Sequence, residues 1–179
     1  MKKLEILKYI VIDVDGTMTD GSIYYDCNGN EFKKFNTRDA AAFFCMNDVG
    51  IQTIVVTGRE CFATERRLAE LGVKHLYQNI NNKKVFLDQF VESNDISYSE
   101  MGYIGDDLND YDAMEVCGFR ACPKNACEEI RELVDYVSDV RGGEGAVRDI
   151  AEYLLKARKQ WDKAIRNVYG CKSIKVKEK

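Results

Sequence analysis

Short apolar runs punctuate this chain at Tyr9–Ile12, Ile51–Val56, Tyr103–Ile104, Phe119–Ala121 and Tyr136–Val137. The first two are rich in β-branched residues, as parallel strands buried on both faces are. Helical spacing fills the gaps. Ala40–Val49 ("AAAFFCMNDV") stops at Gly50 and Cys61–Leu71 ("CFATERRLAEL") at Gly72, each glycine standing where a C′ cap belongs. Lys83–Ser93, Asp110–Val116 and Ala146–Ala157 also read as helices. Strand alternating with helix across short turns predicts an α/β fold, a doubly wound parallel sheet.

One segment breaks the alternation. Ser22–Asp26 and Glu31–Phe35 flank Asn28-Gly29, a hairpin signal because both turn residues tolerate positive φ. A β-hairpin insert over about 22–36 is therefore expected between the first strand and its crossover helix. It leaves from the strand's C-terminal end, the functional edge of an open α/β sheet, where it could rim a site or dock on another subunit. The predicted domain covers 1–158. Residues 159–179 read as a basic C-terminal tail, with "KSIKVKEK" at its end as a solvated terminus.

Composition narrows the picture. A length of 179 residues suits one domain with a sizeable core. A formal net charge of −4 gives no overall basic surface, which argues against nucleic acid as partner. No apolar run is long enough to span a membrane, and "MKKLEILKYI" lacks the core of a signal peptide, so the expected address is the cytoplasm. The seven cysteines form no CxxC pair and stand with a single histidine, His75. They read as reduced packing thiols rather than a zinc site.

The chemistry collects at the strand ends. The first strand delivers Asp13 and Asp15, the second Thr57, Gly58 and Arg59, and the third Asp106, Asp107 and Asp110, while Lys83-Lys84 opens a helix between. In a parallel sheet these groups share one edge. Crowded carboxylates repel unless a cation sits among them, and oxygen donors suit Mg²⁺. The Thr57 hydroxyl, the Gly58 N–H and a lysine ammonium are phosphate donors. Metal, phosphate donors and a free carboxylate together point to phosphoryl transfer through an aspartyl-phosphate. Either lysine fits. Asp107 and Asp110 read equally as helix caps or as groups supporting the site.

"DVDGT", "VVTG", a lysine and "GDDLND" occur in that order and resemble the motifs of the haloacid dehalogenase superfamily. "TDGSIYYDCNGNEFKKFNTRD", "TGRECFATERRLAELGV", "YQNINNK" and "RGGEGAVRDI" are similar to its 3-deoxy-D-manno-octulosonate 8-phosphate phosphatase family, a resemblance running from Tyr9 to Leu155. It implies a Rossmann-like sheet without a cap domain, and homotetramers joined through the hairpin. It implies Asp13 as nucleophile, Asp15 as proton donor and base, and Thr57 as phosphate ligand. It assigns Mg²⁺ to Asp13, the Asp15 carbonyl and Asp106, and aligning "YQNINNK" selects Lys83. It places Asp110 on that lysine, Asp107 nearby, and Arg141 in a loop that approaches substrate. Asn79 and Asn82 depart from the family's usual glycine and acidic residue. Arg59 leans toward an eight-carbon sugar-acid phosphate over a nine-carbon sugar-acid 9-phosphate, and both stay open. The motif order argues against a phosphoacceptor switch, and five intact site residues argue against a non-catalytic relative.

Overall fold

The computed structural model describes residues 2–171. In chain order its elements are α1 (Lys2–Glu5), β1 (Tyr9–Ile12), β2 (Tyr24–Tyr25), β3 (Glu31–Phe32), α2 (Ala40–Asp48), β4 (Gln52–Val56), α3 (Phe62–Glu70) and β5 (His75–Tyr77). Then follow α4 (Lys83–Asn94), β6 (Met101–Ile104), α5 (Tyr111–Val116), β7 (Phe119–Cys122), α6 (Glu128–Leu133), β8 (Tyr136–Val137), α7 (Ala146–Ala157) and α8 (Trp161–Tyr169).

Six strands form one sheet in the order β5-β4-β1-β6-β7-β8, and every pairing is parallel. The chain winds outward from β1 through β4 to β5, then returns to the other side of β1 at β6. That reversal opens a crevice at the C-terminal ends of β1 and β6, where doubly wound sheets bind ligands. Period-2 alternation divides the core. Ile10 and Ile12 pack with α2, α3, α7 and α8 on one face, while Val11 packs with α4, α5 and α6 on the other. Strands apolar on both faces are what this double burial demands.

The expected α/β architecture is present, and among the described residues no separate domain covers the crevice. Gly50 and Gly72 take positive φ, 81° and 69°, ending α2 and α3 as their positions predict. The hairpin is shorter than its sequence suggests, with only Tyr24↔Phe32 and Tyr25↔Glu31 in register. The Asp26 carboxylate accounts for this by accepting from Asn28 N and Asn30 N at 2.9 and 2.8 Å. It closes a five-residue loop in which Gly29 alone has positive φ.

Four elements escaped the apolar pattern: α1, β5, α6 and α8. The last lies in the stretch expected as tail, yet Trp161, Ala164 and Ile165 are buried against α2 and α7. Their i, i+3, i+4 spacing is an amphipathic stripe masked by charged neighbours. The terminus "KSIKVKEK" lies outside the described residues. No described helix is long and apolar enough to cross a membrane.

Trp161 is 4% exposed, with the Arg148 guanidinium 4.6 Å from its ring. Trp161→Ala is expected to cost about 3–5 kcal/mol in denaturant unfolding, whereas a solvated tail would lose nothing. Asp39 is also buried. Its Oδ1 accepts from Arg148 N at the start of α7 at 2.9 Å, and its Oδ2 has no partner. Burial outweighs that hydrogen bond and the charges of Arg67 and Arg148, and pushes its carboxyl up to about 6. A folded pKa above the unfolded one means the native state holds the proton more tightly. The carboxylate therefore costs stability progressively as pH rises from about 4 through about 6. Asp39→Asn keeps the acceptor and should stabilise the fold by about 1–3 kcal/mol at pH 7.5. Melting curves at pH 7.5 and pH 4.5 check this, the gain shrinking at the lower pH.

Candidate active site

Asp13 is the first residue beyond β1, pinned by its N–H to Ile104 O at 2.9 Å. Its side chain is almost fully buried. Lys83, at the first turn of α4, reaches across the sheet edge and donates to Asp13 Oδ1 and, at 2.6 Å, to Asp110 Oδ1. Asp110 also accepts from Tyr103 Oη at 2.8 Å and from Asp106 N at 3.1 Å, so both its oxygens are occupied. Burial works against the Lys83 charge, but Asp13 and Asp110 outweigh it and raise its pKa above the usual lysine range. Burial and the Asp110 charge push Asp13 upward, against Lys83.

Asp106 sits across the crevice and accepts from Thr17 Oγ1 at 2.8 Å. It rests on Gly16, where a Cβ would come within 2.0 Å of Asp106 Oδ2, so the turn after β1 must carry a glycine there. Burial first, then the charges of Asp110 and Asp107, push the Asp106 carboxyl up to about 7, against the Thr17 hydrogen bond. Asp13, Asp106 and Asp110 each present an oxygen within 4.8 Å of the others. With Asp110 committed to Lys83, Tyr103 and Asp106 N, the two oxygens left for a hard cation belong to Asp13 and Asp106. Buried carboxylates held this close, each disfavouring charge on its neighbour, are a donor set that a divalent ion completes.

Thr57 follows β4, with its N–H on Tyr77 O at 3.0 Å and its hydroxyl accepting from Arg59 N at 3.3 Å. That hydroxyl keeps its own proton to donate, beside the Gly58 N–H. Lys84 turns away, pairing with Asp88 at 2.6 Å one helical turn on. This separates the two lysines the sequence left adjacent. Asp107 is exposed and caps the following turn through Leu108 N at 2.8 Å. Arg141 is exposed and starts a loop whose next residue, Gly142, is wedged against the turn after β1. A Cβ on Gly142 would meet Gly16 O at 1.7 Å. Asn79 adopts φ 59°, a left-handed conformation that asparagine tolerates. Asn82 caps α4 by accepting from Val85 N at 3.0 Å. Each asparagine thus has a backbone role of its own.

Arg59 does not point freely into the crevice. Its Nη2 donates to Glu31 Oε2 at 2.7 Å and to Tyr25 Oη at 3.3 Å, and the Glu31 bond raises its pKa. Glu31 in turn faces Lys33 at 3.1 Å, and Lys33 donates to Asp15 Oδ1. Sequence reasoning missed Lys33, Tyr103 and Thr17. Thr17 belongs to "DVDGT" and could have been read from it. Tyr103 is a polar-tipped aromatic inside a strand, a signal for a buried hydrogen bond. Lys33 gave no signal beyond its i+2 spacing from Glu31.

A doubly wound sheet whose switch point holds a buried lysine between two aspartates, with a third opposite, defines a haloacid dehalogenase-like hydrolase. A family profile of that description matches residues 75–150. The chain is 37% identical over 164 residues, 92% of its length and 87% of the relative's, to 3-deoxy-D-manno-octulosonate 8-phosphate phosphatase of Salmonella typhi. It is 33% identical over 157 residues to that of Haemophilus influenzae, covering 88% and 87%. The structure superposes with TM-score 0.88, at 36% identity over 93% and 95% of the two chains, on the Moraxella catarrhalis phosphatase in complex with magnesium, phosphate and KDO. The chain belongs to the 3-deoxy-D-manno-octulosonate 8-phosphate phosphatase family.

Lys83→Ala strands two buried carboxylates and should cost about 3–5 kcal/mol of stability and about 10²-fold or more in kcat. Lys84→Ala should stay within about 3-fold of the parent. Steady-state kinetics and melting of the pair check the assignment.

Proposed function

We propose that the protein is a Mg²⁺-dependent phosphatase that hydrolyses 3-deoxy-D-manno-octulosonate 8-phosphate through an aspartyl-phosphate on Asp13. The observation that carries this is the Lys83 bridge between Asp13 and Asp110, in a chain similar to enzymes of that name over nine-tenths of its length. The same relatives favour the eight-carbon substrate over a nine-carbon sugar-acid 9-phosphate, and with it a place in lipopolysaccharide sugar synthesis.

In the first step a carboxylate oxygen of Asp13 attacks phosphorus. The ester P–O bond breaks, and Asp15 gives its proton to the departing sugar oxygen. In the second, Asp15 takes a proton from water, whose oxygen attacks the phosphoryl group, and the P–O bond to Asp13 breaks. Lys83 fixes the Asp13 carboxylate through Oδ1, so that one of its oxygens faces phosphorus and the other the metal. Thr57 Oγ1, Gly58 N–H and the Lys83 ammonium hold the equatorial phosphate oxygens, donors already aimed before charge builds. Asp13, Asp106 and the Asp15 carbonyl would hold Mg²⁺, whose charge would offset that of the phosphate. Asp110 orients Lys83, with Asp107 capping the turn behind it. Arg141 would pair with the sugar-acid carboxylate, and Arg59 would join it through Nη1 while Nη2 stays on Glu31.

The assembly we propose is a homotetramer joined through the hairpin, which is too short to be stable alone. Tyr24 and Phe32 pair across its strands and are both exposed, an apolar surface of the kind that marks an interface. A cytoplasmic address accords with seven free thiols.

Phosphate release from 3-deoxy-octulosonate 8-phosphate should need Mg²⁺ and vanish on chelation. It should exceed release from nine-carbon 9-phosphates by about 10-fold or more in kcat/KM. Asp13→Asn should abolish it while leaving the circular dichroism unchanged. Residual turnover in that variant would remove Asp13 as nucleophile, and preference for the longer sugar would change the substrate and keep the chemistry.

A further inference from the structure

Asp15 is the group that must deliver and recover a proton, yet it lies on the turn after β1 with its side chain 28% exposed. Among the described residues one side chain holds it, Lys33 from the hairpin, through Oδ1. Lys33 is itself only 3% exposed along its side chain. Burying an ammonium that deeply is costly unless partners replace its water, and here two carboxylates do so, Asp15 and Glu31. Burial opposes the Lys33 charge, and Asp15 and Glu31 outweigh it. Glu31 and Lys33 are two residues apart on extended chain and so face the same side. Glu31 is fixed from behind by Arg59 at 2.7 Å.

We propose that Lys33 is a positioning residue for the proton-transfer steps. By taking Oδ1 of Asp15 it fixes the carboxyl plane and leaves Oδ2 directed at the ester oxygen. Lys33 reaches Asp15 through a chain of ion pairs running from the loop after β4 through the hairpin. The hairpin thereby acts on catalysis within its own subunit, separately from any role in assembly. This inference rests on Asp15 as the proton donor.

A leaving group that needs no proton tests it. A nitrophenolate departs unaided at neutral pH, whereas a sugar alkoxide does not, so misplacing Asp15 should penalise the second far more in kcat/KM, which reports the steps through phosphoryl transfer to Asp13. For Lys33→Met, kcat/KM on 3-deoxy-octulosonate 8-phosphate should fall about 30-fold or more, while that on p-nitrophenyl phosphate falls about 3-fold or less. Retained nitrophenyl phosphate turnover also shows that the variant is folded. Glu31→Gln removes the second anchor of Lys33 and should give the same selectivity at smaller size, carrying the test if Lys33→Met does not fold. Equal losses on both esters, or none on either, overturn the proposal. A parent enzyme inactive on the sugar-acid phosphate but active on p-nitrophenyl and ribose 5-phosphates would overturn the substrate reading alone, and the Lys33 comparison is then read on that second pair.

Discussion

The ion bridge from Asp13 through Lys83 to Asp110 is the interaction on which the rest of the site depends. Three aspartates meet where the sheet reverses direction, and in the low dielectric of a buried crevice they cannot all stay ionised without cationic company. Lys83 supplies one positive charge permanently, from the first turn of a helix whose start is set by the Asn82 cap. Its position divides the carboxylates by role. Asp110 is saturated by Lys83, Tyr103 and Asp106 N, and becomes structure. Asp13 and Asp106 keep oxygens unclaimed, and chemistry is left to them.

Backbone proximity does the remaining placement. The turn after β1 runs between Asp106 and the loop that begins at Arg141, so closely that neither Gly16 nor Gly142 has room for a Cβ. Those contacts bring groups from residues 13–20, 106–110 and 141–145 into one small volume without a covering domain. The hairpin then enters from the side, its charged face inward on Asp15 and its apolar face outward. One short insertion thus bears both on Asp15, the carboxyl we propose for acid–base work, and on an exposed apolar surface.

Much of this was legible in the chain because parallel strands buried on both faces must be apolar, and their ends are where polarity returns. Asp13, Thr57 and Asp106 each sit within one or two positions of such an end, and α2, α3, α4 and α7 begin and end close to where caps and spacing put them. What was not legible depends on distance in space. β5 carries His75 and half-buried neighbours at the sheet's edge and makes no apolar run. The stripe of α8 is hidden among lysines and arginines. Nothing in "KKFN" says that Lys33 folds inward while Lys34 stays out, or that Arg59 is held by Glu31 rather than left free. Lys83 and Lys84 are equivalent by composition; the family resemblance selects Lys83, and the structure supplies the physical reason, Lys83 turning inward to Asp13 and Asp110 and Lys84 outward to Asp88.

The claim at the centre is that phosphorus passes through Asp13, and trapping it there is the most direct test. In an Asp15→Asn variant given p-nitrophenyl phosphate, hydrolysis of the acyl phosphate loses its base, while attack by Asp13 needs no proton for the departing nitrophenolate. Enzyme quenched during turnover, reduced with borohydride and digested should then carry homoserine at position 13. Homoserine at Asp106 or Asp110, or an unmodified Asp13 in a variant that still releases nitrophenolate, would contradict the account.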